Sequence, residues 1–397
     1  MRLLLLLTSL LLLSVAGAQE GPKASRSTFM KLMDVQELWE EDRYEDAISM
    51  LEALAEDTTD RPYDYALSKQ YLAHTAVMMG ESERARPALE DALAQPELPQ
   101  DLLANLKLFY GQIVMADDEF ELAKRMFDEW LAATTVEPTP GQLFSVSYAN
   151  YMSGNLNEAV DFVTRAIEGR TNPPDNWVRL QYQILFDVGR YADALAVAVQ
   201  LVDRDPTSED YWRLLASHHM RREDYTQALS AFAIAYQTGV LSKEDDLRRI
   251  ASLYGHVAVP EKAARLLEQW IEEESIEKNA ATWRTLGDMW MLARERDNAK
   301  AALWNSVEAE PDADTFEFLA GIHFEDAEWE QAYEGFEGAL GTGEVEEDDV
   351  ARLQLLAGLT AMRSGDKATA REYLLLAEGD EELRGQVRGL LRELDES

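Results

Sequence analysis

Five histidines, His74, His218, His219, His256 and His323, are the only imidazoles in the chain, and no cysteine supplies a thiolate. A protein zinc site would need His or carboxylate ligands at helical spacing, such as His-Glu-x-x-His. No such motif occurs, and the adjacent His218 and His219 would point about 100° apart on a helix. Acyl transfer would need a Gly-x-Ser-x-Gly elbow, and phosphate chemistry a Gly-x-x-x-x-Gly-Lys or Gly-x-Gly-x-x-Gly loop; none is present. Gly341-Thr342-Gly343 reads as a turn between elements. With 75 acidic residues, paired carboxylates occur everywhere and carry no signal. The chain therefore reads as noncatalytic, with no catalytic, cofactor-binding or metal-binding residue assigned. The rival from the enzyme class is a site spread over distant elements, in which His74 would be the imidazole base.

What the sequence does repeat is a packing pattern. With Trp283 at position 4 of a 34-residue unit, Leu286 falls at 7, Gly287 at 8, Trp290 at 11, Ala299 at 20 and Pro311 at 32. Large residues at 4, 7 and 11 stripe one face of a first helix, and small ones at 8 and 20 let a second helix approach closely. This resembles the tetratricopeptide repeat (TPR), a pair of antiparallel helices that cannot bury its apolar face alone. The small residue at position 20 recurs as Ala47, Ala85, Ala123, Ala159, Ala194, Ala228, Ala263, Ala299, Ala332 and Ala370, with gaps of 33 to 38. The expected fold is all-α, a TPR solenoid over 28–379 forming a right-handed superhelix of about ten helical hairpins. A capping helix and tail follow at 380–397, with Leu383, Val387, Leu390, Leu391 and Leu394 on one side.

Details of the units add further expectations. Aromatics three residues before the small one, Tyr191, Tyr225 and Trp329, pack into the hairpin turns. Phe127, Phe232 and Phe336 follow at position 24, and Pro96, Pro206 and Pro311 stop second helices. Position 27, normally small, holds Trp130 and Trp270, so those hairpins should open or rotate to admit an indole. Pro260 falls in a turn, and Pro87 in the first turn of a second helix, where proline is tolerated.

Lys+Arg 37 against Asp+Glu 75 gives a net charge of -38, which repels nucleic acid and anionic lipid and favours a basic partner. Arg2, the apolar run Leu3 to Leu13 and the small-x-small site Ala16-Gly17-Ala18 read as a signal peptide over 1–18, cleaved after Ala18. The run is short for a membrane span, and a retained anchor is the alternative. Residues 19–27 read as a flexible leader. Export without cysteine fits a periplasmic location, with no direct membrane insertion after cleavage.

TPR resemblance implies that positions 2, 5, 9, 12 and 13 of the first helices face a concave groove. Position 12 reads Trp39, Val77, Met115, Tyr151, Phe186, Met220, Gly255, Met291, Phe324 and Met362, and position 5 of four consecutive units reads Arg179, Arg213, Arg248 and Arg284. A partner-binding groove would use Tyr151, Phe186, Met220 and Met291 as an adaptable apolar strip, with Arg179, Arg213, Arg248 and Arg284 clamping a partner's carbonyls or carboxylates. The other reading makes the strip core between neighbouring helices and pairs Asp210 with Arg213 and Asp245 with Arg248 along one helix. The most acidic loop, Glu344 to Asp349, reads as a solvated face.

A narrower resemblance rests on Asn176-Trp177, Tyr191-Ala-Asp-Ala194, Asp210-Tyr211-Trp212, Gln237 to Lys243, Val259 to Glu268, Ile276 to Lys278 and Trp283 with Ala293-Arg294-Glu295. These are similar to the periplasmic TPR proteins that accompany TonB-type energy-transduction systems in proteobacteria. That resemblance implies a noncatalytic scaffold without cofactor, whose partner is a TonB-like rod or its inner-membrane motor subunits. An envelope assembly factor or regulator of cell-wall enzymes on the same solenoid is the alternative.

Overall fold

A computed structural model describes residues 24–396, so the signal segment and most of the leader lie outside the described residues. Twenty-one α-helices and no strand make up the described chain. Two compact units divide it, one running to Val197 and the other starting at Ala198. The first unit holds α1 (Arg26–Glu40), α2 (Tyr44–Glu56), α3 (Pro62–Met78), α4 (Ser82–Leu93) and α5 (Gln100–Ala116). It continues with α6 (Phe120–Ala133), α7 (Pro140–Met152), α8 (Leu156–Glu168) and α9 (Asp175–Asp187), and the boundary falls inside α10 (Tyr191–Arg204). The second unit holds α11 (Glu209–Arg221), α12 (Tyr225–Gln237), α13 (Glu244–His256), α14 (Pro260–Glu272), α15 (Ala280–Leu292) and α16 (Arg296–Ala309). It ends with α17 (Ala313–Glu325), α18 (Trp329–Thr342), α19 (Glu347–Ser364), α20 (Lys367–Ala377) and α21 (Arg384–Glu396). Odd-numbered helices up to α19 are the first helices of hairpins, and even-numbered ones are the second.

The ten alanines at position 20 lie one on each second helix, and every one is 0% exposed. Close approach is what makes them necessary. At Gly287 an added Cβ would meet Leu303 at 2.7 Å, and at Gly111 it would meet Phe127 at 2.7 Å. Phe127, Phe232 and Phe336 are buried as position 24 requires. In two hairpins the aromatic before the small residue meets position 12 across the turn: Tyr191 lies 5.0 Å from Phe186 and Trp329 5.4 Å from Phe324.

A second tenfold marker lies in the backbone. The residue at position 15 of every hairpin turn is left-handed, with φ between 57° and 94°. Four are glycines, Gly80, Gly154, Gly189 and Gly365; the others are Asp42, Asp118, Glu223, Ala258, Arg294 and Ala327. In all ten turns the amide of the next residue donates to the carbonyl five positions back over 2.8–2.9 Å, as in Arg190 to Leu185 and Val259 to Tyr254. This is the 6→1 bond that closes a helix C-terminus around a left-handed residue. A left-handed L-residue costs about 1–2 kcal/mol, offset in part by the extra freedom glycine has when unfolded. Ala258→Gly and Ala327→Gly are therefore expected to stabilise the protein by roughly 0.5–1 kcal/mol each, and Gly189→Ala to destabilise it, measured by urea unfolding.

Some expectations need correction. Pro87 is the sixth residue of α4, in its second turn, so it interrupts the helical hydrogen-bond ladder rather than sitting where none is owed. Pro260 opens α14 instead of lying in the turn before it. Trp130 is buried without opening its hairpin, since Phe127 one turn earlier on α6 still packs onto Gly111. Arg26 and Ser27, assigned to the leader, form the first turn of α1, capped by the Ser25 hydroxyl accepting from the Thr28 amide. At the other end α21 sets Val387 and Leu394 against Leu355, Leu374, Ala361 and Ala370 of α19 and α20.

Candidate functional site

In the second unit, position 5 joins consecutive first helices. Arg213 of α11 donates from Nε and Nη2 to both carboxylate oxygens of Asp246 on α13, at 3.0 and 2.7 Å, and from Nη2 to Glu209. Arg248 of α13 donates to Thr282 Oγ1 of α15 at 2.6 Å as well as to Glu244. Arg284 of α15 donates to Thr315 Oγ1 of α17 at 2.8 Å and to Asp288, and lies over the Phe318 ring at 4.9 Å. At the next junction the polarity reverses, with Arg352 of α19 donating to Glu317 of α17.

The acceptors form a rule of their own. Asp246, Thr282 and Thr315 all occupy position 3 of the following repeat. Thr282 and Thr315 pass the bond onward by donating to the N-cap side chains of their helices, Asn279 and Asp312. Asp246 itself is 2% exposed, and its hydrogen bonds hold the Arg213 pKa above even the ordinary arginine value. The three arginines thus engage the neighbouring repeat. Of the helix-surface pairs foreseen for them, Asp210 stands 3.6 Å from Arg213, while Arg248 pairs with Glu244 rather than with the expected Asp245. Register, rather than local charge spacing, was the signal that could have revealed the acceptors.

The first unit joins its first helices with aromatics. Trp39 Nε1–H donates to Thr75 Oγ1 at 3.0 Å, and Phe144 stacks on Trp177 with centroids 4.7 Å apart. The half-buried Tyr151 hydroxyl donates to Asp187 of α9 at 2.8 Å; burial, then that bond, pushes its pKa up to about 12. Phe186 is buried beside Tyr182 and Tyr191, and Arg179 is exposed on the same helix. In the second unit Met220 and Met291 are half-buried, packed on the core. The strip at position 12 is therefore shared between helix packing and surface.

The exposed apolar row lies one residue later. Position 13 carries Met78 at 43% and Met152 at 44% exposure in the first unit, and Leu292 at 62% in the second. In the first unit this row runs beside an uncharged set of side chains, among them Gln36, His74, Gln112, Tyr148 and Gln183 at position 9. His74 lies half-buried between the rings of Trp39, at 5.1 Å, and Phe109, at 6.0 Å, and burial holds its pKa below the ordinary 6.5. A base that resists protonation when folded contributes stability above that ordinary value. The contribution is lost as pH falls below it, because the unfolded chain takes up the proton first. Between about pH 7 and 5 the wild type is expected to lose stability to urea more steeply than His74→Gln, and equal slopes would refute the assignment.

The most enzyme-like constellation was not anticipated. His323 Nε2 accepts from Trp304 Nε1–H at 3.2 Å, so Nδ1 carries the ring proton and gives it to Glu328 at 2.6 Å. Both nitrogens are thereby engaged inside the protein, and the ring is buried. Lys300 is buried alongside, within 3.3 Å of Asp297, Asp326 and Glu328. Burial alone would lower its pKa, but the three carboxylates outweigh that and raise it; Lys300 in turn holds Asp326 and Glu328 below the usual carboxylate range. These groups tie α16 to the α17–α18 turn, and their geometry offers a substrate no imidazole base. Among the described residues no cluster of three or more His, Cys, Asp or Glu is arranged to hold a metal ion, and no helix is long and apolar enough to cross a membrane.

Residues 181–239, from α9 to the end of α12, match the tetratricopeptide repeat family. No curated protein matches the chain. Among solved structures, a TPR protein from Parabacteroides merdae is 14% identical, with 65% of this chain and 98% of that one covered and a TM-score of 0.37. The C-terminal part of a TPR protein from Cytophaga hutchinsonii is 14% identical, with coverage of 72% and 98% and a TM-score of 0.39. YrrB, described as a TPR protein with an unusual peptide-binding site, is 19% identical, with coverage of 47% and 92% and a TM-score of 0.40. The matched stretch, together with one turn and one buried alanine repeated through all ten hairpins, makes the fold of this chain an array of tetratricopeptide repeats.

Proposed function

We propose that the chain is a noncatalytic protein-interaction scaffold that grips an extended segment of a partner along its first helices. The observation that carries this reading is the pair of exposed methionines at one repeat position of the first unit, Met78 and Met152, with Leu292 at the same position in the second. Apolar side chains left 43–62% exposed offer a partner surface to cover, and unbranched methionine adapts to varied partners. In the second unit the arginines at position 5 fix the spacing of the first helices, α15 with its Leu292 among them.

The proposal extends to place and partner. The signal-like first 18 residues support export to the periplasm, and the resemblance to TonB-associated TPR proteins supports a role beside a TonB-type outer-membrane transport system. A Lys- and Pro-rich rod segment suits a chain of net charge -38, since complementary charge speeds encounter and extended Pro-rich chains lose little entropy on binding. The test is photocrosslinking in cells from positions 78 and 152, with Glu121 on the exposed side of α6 as control. Capture of a TonB-like rod or motor subunit from the two row positions alone is expected. Capture of an unrelated envelope protein would overturn the TonB assignment, and absence of row-specific capture would overturn the reading of these positions as a binding wall.

A further inference from the structure

A cleft of about 330 Å3 opens in the second unit on the side of the second helices, between α14, α15 and α16. Its floor is apolar, made by Trp283 and Leu286 of α15 and the small pair Ala301 and Ala302 of α16. Two carboxylates, Glu268 and Glu272, stand one turn apart on α14 and so share one rim. The facing rim holds the amides of Asn298 and Asn305, two turns apart on α16.

No lysine or arginine lines the cleft. The nearest cation on the same helix, Arg265, is occupied: it donates twice to Glu261, at 3.0 and 2.8 Å, and lies over the Trp290 ring at 5.9 Å. Glu268 is fixed at the rim because its Oε1 accepts from Trp290 Nε1–H at 3.1 Å. The site is thus an apolar, aromatic-floored slot with one anionic rim and one amide rim. Its volume lies at the lower end of small-ligand sites, which run roughly 300–1,000 Å3, so it admits a single side chain rather than a folded element.

From this geometry we infer that the cleft between α14 and α16 is a receptor for a lysine side chain of a protein partner. The four-carbon stem of lysine would cover Trp283 and the alanine floor, while the ammonium reached Glu268, Glu272 and the amide oxygens at the rim. This inference rests on the scaffold reading but not on the exposed row, because the rims of the cleft belong to the second helices α14 and α16 and only its floor draws on the first helix α15.

The test uses the full chain with 15N-labelled indoles and an eight-residue peptide alternating Lys and Ala, capped at both ends. The Trp283 indole resonance, assigned through Trp283→Phe, is expected to shift saturably while that of Trp304 stays in place. Norleucine in place of lysine should abolish the shift. Glu268→Gln/Glu272→Gln is expected to weaken binding roughly tenfold, whereas the charge-matched pair Glu344→Gln/Glu347→Gln around the acidic start of α19 should change it less than about twofold. Ala301→Leu, at an exposed helical position, fills the slot with every charge retained and should also abolish the shift. The inference is overturned if Trp283 does not move, if the two charge-neutralised pairs weaken binding equally, or if Ala301→Leu binds as the wild type does. An arginine peptide binding as tightly would replace the lysine assignment with general cation attraction. Met152→Asp, which disrupts the wall, is expected to leave this binding intact, so the two readings fail separately.

Discussion

Arg213→Met is expected to cost about 3 kcal/mol at the junction of α11 and α13. Methionine keeps most of the side-chain stem, so the loss isolates the guanidinium. What it leaves behind decides the size of the effect. Asp246 is 2% exposed and would lose both hydrogen bonds that compensate its buried charge, whereas Arg213 is only partly buried and retains other carboxylates nearby. Removing one partner of a buried pair costs about 3–5 kcal/mol, and the lower end applies because Arg213 is partly open to water. Asp246→Ala, which strands no buried charge, should cost less, about 1.5–3 kcal/mol. Arg213→Met/Asp246→Leu should recover much of the loss, because replacing both partners with apolar groups is nearly neutral. Hydrogen exchange is the measurement, since a repeat array opens locally at its weakened junction. Protection in α13 should fall roughly a hundredfold in Arg213→Met and return in the double variant; a single variant no more labile than Asp246→Ala would contradict the stranded-charge account.

The repeat was legible because its demands are steric and fall on residue type. Only a small side chain fits where α16 meets α15, so Ala299 and its nine equivalents could be aligned by eye. The hairpin turn makes an equally strict demand that the side chains hide. Position 15 requires a left-handed backbone, yet aspartate, glutamate, alanine and arginine fill it in six of ten turns, because the surrounding 6→1 bond imposes the conformation at a local cost. Of the positions expected to face the groove, 12 and 13 differ in exposure. Position 12 points between neighbouring first helices, so Phe186 is buried and Met220 half-buried, while position 13 faces outward at Met78, Met152 and Leu292. A hydrophobic pattern gives the period of a helix but not the angle at which its neighbour arrives. The same limit hid the arginine ladder, whose acceptors lie a whole repeat away, and the His323 network, assembled from two helices and a turn.

The junction that Arg213 closes from the first-helix side is closed from the other side by Trp270, and Trp270→Ala is expected to be the costlier change, about 3–5 kcal/mol. Trp270 is 1% exposed at a position that is usually small, and it reaches back from α14 to α12. There its Nε1–H donates to the Tyr236 hydroxyl at 2.8 Å, and its ring meets the Tyr236 ring edge to face at 5.5 Å. The cost has separable parts. Trp270→Phe keeps most of the apolar volume and loses the hydrogen bond, so it should cost about 1–2 kcal/mol, and the rest of the alanine effect is the cavity left by an indole. Trp270 and Arg213 lie on opposite helices of their hairpins and share no hydrogen-bonding partner, so their effects should add within about 0.5 kcal/mol. Both act on the single interface between the sixth and seventh repeats. In a chain whose stability is a sum of repeat and interface contributions, weakening one interface by the combined amount severs cooperativity there rather than melting the whole. Arg213→Met/Trp270→Ala is therefore expected to unfold in two urea transitions, with α13 onward melting separately from α11 and α12, where each single variant shows one. A single transition in the double variant, merely shifted to lower urea, would mean that this interface is not the joint its two bridges imply.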